Sequence, residues 1–150
     1  MTDVGSFGPL DYSTYDEAVE SVAPPKQIAP GRYTVELDSW NFHEARTGRP
    51  GIRFELKIIN SSEWNGRRLR HDGWWGTGFL DSPLLALAKR DLWDDVSKEK
   101  ASEDGMVRIR DGTSEPFSRL VGRQCDVMVA WDKGLDGQPY AKINKWMIDS

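Results

Sequence analysis

Five stretches of this chain alternate apolar and polar residues with a period of two, and that periodicity limits the possible folds more than any other feature. A strand sends successive side chains to opposite faces, so the pattern marks strands with one buried and one wetted side. Arg32–Trp40 sets Tyr33, Val35 and Leu37 against Thr34, Glu36, Asp38 and Trp40. Ile52–Ile59 sets Ile52, Phe54, Leu56 and Ile58 against Arg53, Glu55 and Lys57. Arg67–Trp75 alternates Arg67, Leu69 and His71 with Arg68, Arg70 and Asp72. Arg123–Trp131 lines up Cys125, Val127, Val129 and Trp131, and Tyr140–Ile148 is the fifth strand. Turn signals separate them: Pro30-Gly31, the loop His43–Gly51, the hairpin pair Asn65-Gly66 and the loop Asp132–Pro139. Gly73, Gly76 and Gly78 predict bulges or a bent end after the third strand.

One segment changes period. Ser82-Pro83 reads as a cap followed by proline at the first helical position, and Leu84, Leu85, Ala88 and Leu92 share one helical face ending between Trp93 and Val96. Residues 97–115 read as an irregular polar insert with a short strand at Met106–Arg110, followed by a helical turn over Glu115–Leu120. Three strands, a helix and two strands is the order of a mainly β, five-stranded OB-type Greek-key barrel with one helix between strands three and four. An SH3-like barrel or an open α+β sheet uses the same elements. The barrel would span residues 29–150. Residues 1–28 lack a sustained period and read as a flexible acidic arm.

Composition narrows the function. One cysteine, Cys125, excludes an internal disulfide and any cysteine-built metal site, and two histidines are too few for most histidine-rich ones. No cofactor or metal is expected. No stretch approaches the roughly 18–20 apolar residues of a membrane helix, and the start has no signal-peptide pattern, so the expectation is a cytoplasmic protein without membrane contact.

The net charge of −4 hides strong segregation. Residues 1–28 hold five acids against Lys26, whereas Arg46–His71 holds seven bases against Glu55 and Glu63. On an OB barrel, ligands lie across the second and third strands and the flanking loops. That is where Arg46, Arg49, Arg53, Lys57, Arg67, Arg68 and Arg70 fall, with Lys133 and Lys142 beside the last loop. Seven tryptophans accompany them, and Trp40, Trp64, Trp74 and Trp131 lie near strand ends or loops. Cations that track phosphates and flat rings that stack bases make a sequence-tolerant single-strand groove. Tryptophan also fills small barrel interiors, which is the simpler role for Trp75 and Trp146.

The catalytic alternatives are thin. His43-Glu44 and His71-Asp72 have no third partner, and Cys125 sits within an apolar alternation. Trp75-Gly76-Thr77-Gly78 lacks the ending of a phosphate-binding loop, and Asp94-Asp95 with Glu99 reads as a solvated helix end. A nuclease would need Glu55, Asp72 and Asp81 gathered in one cleft. A non-enzymatic role is therefore expected.

Several stretches resemble small phage-encoded single-stranded-DNA-binding proteins of the OB-fold type. They are Pro30-Gly31-Arg32-Tyr33-Thr34-Val35, Thr47-Gly48, Phe54-Glu55-Leu56 and Asn65-Gly66-Arg67, then Val121-Gly122-Arg123, Gly137-Gln138-Pro139-Tyr140 and Ile143-Asn144-Lys145-Trp146. The resemblance spans roughly residues 29–148. It implies non-catalytic binding of single-stranded DNA during phage replication or recombination, in the host cytoplasm. The acidic arm would compete for the groove or recruit a replication or recombination protein. The other expectation is an adaptor that binds a protein or a sugar through a tryptophan-rich surface.

Overall fold

The computed structural model describes residues 27–148, so the arm expected over residues 1–28 lies, through residue 26, outside the described residues. Each predicted alternation forms a strand: β1 (Gly31–Glu44), β2 (Pro50–Ile58), β3 (Arg68–Trp74), β4 (Gln124–Lys133) and β5 (Pro139–Trp146). They make one antiparallel sheet in the order β3-β2-β1-β4-β5. The sheet curls into a half-barrel, bringing its two edge strands, β3 and β5, toward each other. Helices α1 (Gly78–Ala101), α2 (Glu103–Asp111) and α3 (Glu115–Ser118) lie between β3 and β4. Val35, Leu37, Ile52, Phe54, Leu56 and Ile58 from the sheet are fully buried, as are Leu80, Leu84 and Leu87 from α1. Burial of each such side chain stabilises the fold by roughly 1.5–3 kcal/mol relative to exposure.

A bulge changes the parity of β1. Its register against β2 shifts between Leu37 and Ser39, so one extra residue is accommodated there. A one-residue slip turns every later side chain to the opposite face. Trp40, which strict alternation places outward with Glu36 and Asp38, instead pairs across from the core residue Phe54. Its ring packs on Phe117 with centroids 5.4 Å apart. Phe42 follows it inward and meets Trp75 at 6.4 Å.

The first helix starts earlier than its proline suggests. Thr77 is the N-cap, its hydroxyl accepting from Phe79 N–H at 3.2 Å and donating to Trp74 O at 2.8 Å. No bulge interrupts β2–β3 pairing. Gly73 serves the helix instead: a Cβ there would lie 2.7 Å from Phe79 O and 2.8 Å from Leu80 Cα, so only glycine admits α1 this close. The helix also runs past Val96 to Ala101, across a break at Lys89, where φ is +56°.

The 97–115 segment is not an irregular insert with a strand at Met106–Arg110. Ser102 caps α2, accepting from Gly105 N–H at 2.9 Å, and Gly112 ends it in the left-handed conformation (φ 76°). Acidic residues in its first turn and basic ones in its last suit the helix dipole. Nor is Glu99 part of a solvated end. It is 7% exposed and accepts from Arg108 Nε at 2.9 Å, Arg108 Nη2 at 2.7 Å and Ser114 Oγ at 2.8 Å. Arg108 holds its carboxyl below the usual range against the opposing effect of burial, with Ser114 helping. The predicted turn at Glu115–Leu120 appears as α3, capped by Ser114. Asn65-Gly66 does not make a two-residue hairpin; residues 59–67 join β2 to β3 and tuck Trp64 into the core, with Gly66 N–H reaching Ile58 O at 2.7 Å.

Candidate functional site

Between the facing edges of β3 and β5 opens a groove of about 590 Å³. One wall is the stretch Arg67–Asp72, the other Tyr140–Ile143, and Trp74, Phe79, Gln27 and Ile28 complete the lining. Residues 27–29 are stapled beside it. Ala141 N–H donates to Gln27 Oε1 at 3.3 Å, Trp131 Nε1 to Ile28 O at 2.8 Å, and the Tyr33 hydroxyl to Ala29 O at 2.6 Å. Ile28 itself is buried, so the packed body begins before the Pro30-Gly31 turn.

Of the residues singled out in the sequence, Arg67, Arg68, Arg70, Trp74 and Lys142 come together in this groove. Arg53 and Lys57 stand on the outward face of β2, paired in register with Asp72 and Arg68 of β3. Arg46 and Arg49 are exposed in the β1–β2 loop, and Lys133 is exposed at the end of β4. Trp131 is 53% exposed on the β4–β5 hairpin, opposite Ala141, but does not line the groove. Trp40 and Trp64 are taken up by packing. The first lies on Phe117, and the second is 8% exposed with the Arg67 guanidinium 5.4 Å over its ring.

The basic stripe counted along the chain becomes a balanced mosaic in space. Across β2 and β3, Arg53 Nε donates to Asp72 at 2.9 Å and Arg70 Nε to Glu55 at 3.1 Å. Lys57 and Arg68 face each other as like charges, an arrangement that destabilises a sheet unless relieved. The relief comes from β1: Asp38 pairs with both, and Glu36 lies 3.5 Å from Lys57 Nζ. Four cations thus meet four carboxylates on one face, because β1 lays two acids from outside the basic segment beside it. In the groove, Lys142 Nζ reaches Asp132 at 3.0 Å and holds that carboxyl below its ordinary range. Asp72 also has His43 Nε2 at 3.5 Å, and the His43 ring lies 4.9 Å from that of Trp74.

The sequence matches no protein-family model and no curated protein.

The groove lining presents cationic side chains and aromatic ring faces. Among the described residues, no group of three or more His, Cys, Asp or Glu is placed to hold a metal. The three carboxylates a nuclease would need are committed to different cations: Glu55 to Arg70, Asp72 to Arg53 and Asp81 to Lys100. Cys125 is buried, and His71 is bound to the Phe79 carbonyl at 2.7 Å. Among the described residues no helix is long and apolar enough to cross a membrane. Phe79, which is not among the candidates the sequence offers, also lines the groove. Its one signal was that it lies outside the Leu84–Leu92 face used to place the helix.

Proposed function

We propose that this protein binds single-stranded DNA without catalysis and with little sequence preference, through the groove between β3 and β5 and the charged face beside it. The observation that carries the reading is the gathering of Arg67, Arg68, Arg70 and Lys142 with the Trp74 ring in one open trough. Phosphates would exchange with the carboxylates now paired to these cations, a small change because exposed ion pairs contribute only ~0–1 kcal/mol. The strand order, with β1 between β2 and β4, β3 facing β5 and helices between β3 and β4, supports assignment to the OB type of barrel. The resemblance to phage single-strand-binding proteins supports a role in phage DNA replication or recombination.

Titration with oligo-dT, following tryptophan fluorescence, tests this. Stacking is expected to quench the signal, and neutralising about three to five phosphates gives a slope of log K on log salt of roughly −2 to −4. Replacing Arg67, Arg68 and Arg70 together by Ala is expected to flatten that slope. Absence of salt-dependent binding overturns the reading. It would favour the adaptor, for which exposed Trp131 and Leu135 on the β4–β5 hairpin offer an apolar surface.

A further inference from the structure

Two side chains of the groove are explained neither by the core nor by the ion pairs. Phe79, in the first turn of α1, is 61% exposed, and Tyr140, near the start of β5, is 41% exposed. Both line the same cavity. The helix spends its buried face on Leu80, Leu84 and Leu87, and Phe79 is left outside it. Its backbone is fixed on both sides, N–H to the Thr77 hydroxyl at 3.2 Å and carbonyl to His71 Nε2 at 2.7 Å, which anchors the residue at the cavity wall. Across the groove, Tyr140 neighbours Lys142 on β5. The Arg68 and Arg70 side chains are more than half exposed, which puts their charged ends toward solvent.

We infer that Phe79 and Tyr140 form a slot that takes an unpaired base inward while the backbone stays outside on Arg68, Arg70 and Lys142. This rests on the reading of the groove as a nucleic-acid site and says what makes that site select single strands. Every base has two π faces, so a ring slot accepts any of them. In a duplex those faces are covered by stacking and the edges by pairing, and no base enters without being extruded. The cations alone have no such preference, since phosphate charge is common to both forms. Selectivity for single strands therefore belongs to the two rings and affinity for polyanions to the rim.

The test uses the full chain carrying Phe79→Ala, Tyr140→Ala or both, with Phe79→Tyr and Tyr140→Phe as ring-retaining partners. Labelled oligo-dT and its duplex with oligo-dA are titrated at several salt concentrations. Each alanine is expected to weaken oligo-dT binding by about tenfold while leaving the salt slope and duplex affinity unchanged, and the ring-retaining variants are expected to bind like wild type. Alanine variants that hold oligo-dT as tightly as a binding wild type overturn the slot and leave the proposed function standing. Equal loss of oligo-dT and duplex, or loss in the ring-retaining variants, also overturns it. A wild type that fails to bind oligo-dT overturns the proposed function and the slot with it.

Discussion

His71 joins the helix to the sheet through a single atom. Pro83 has no N–H to offer the Phe79 carbonyl four residues earlier, and His71 Nε2 donates to that oxygen instead. The imidazole also lies 5.1 Å from the Trp146 ring and 6.2 Å from Phe54. Burial lowers its pKa below the usual 6.5, opposed by the Phe79 hydrogen bond and by Asp72, while Lys142 lowers it further. Below that value the unfolded chain takes up the proton more readily than the folded one, so stability should fall as pH drops from 6.5 toward and through the lower folded pKa. Urea unfolding at about pH 7.5 and about pH 5.5 measures this. The midpoint should be lower at the acid pH in wild type. The difference should shrink in His71→Gln, which keeps an amide donor but does not titrate. An undiminished difference would place the dependence on another group. None of this was legible in the sequence, where His71-Asp72 was an isolated pair, because the residue that gives the histidine its task stands twelve positions away.

At the scale of elements, periodicity was a good guide to strands and a poor one to what interrupts them. The inward faces of β2 and β4 are those the alternation marks, since each strand has one wet side and one dry side. Trp40 was misplaced because a bulge costs only one residue and leaves no mark in the apolar pattern. The α2 helix was overlooked for a different reason: its signals are caps rather than periodicity, and Ser102, the acidic first turn and Gly112 outweigh a short apolar run. The charge mosaic across β1, β2 and β3 is invisible in the linear order of charges, because strand register decides which ones meet. Glu55 tests the consequence. It holds Arg70 at the groove, so Glu55→Gln should release that guanidinium and tighten oligo-dT binding by up to about fivefold, equivalent to the ~1 kcal/mol upper range for an exposed pair. The salt slope should steepen by less than one phosphate's share. Unchanged or weaker binding would mean that Arg70 does not touch phosphate.

Across the whole molecule, the element order was readable but the neighbours were not. A period of two says which face of a strand is buried and nothing about which strand lies beside it, so the meeting of β3 with β5 emerges only once the sheet has curled. That meeting also sets where the acidic segment joins the fold. Gln27 and Ile28 line the groove, and the residues preceding them carry Asp3, Asp11, Asp16, Glu17 and Glu20 against Lys26. A short covalent link gives an effective concentration on the order of millimolar, so these acids are expected to compete with phosphate for the guanidinium groups of the groove. Converting the five acids to Asn or Gln in the full chain removes the competitor without disturbing Gln27 or Ile28. Oligo-dT affinity should then rise at low salt. The advantage should vanish toward about 1 M salt, where the Debye length shrinks to about 3 Å and the tethered charges no longer compete. Affinity that ignores the five substitutions at low salt would leave the segment to its other expected use, the recruitment of a replication or recombination protein, since its charge would then be spent somewhere other than the groove.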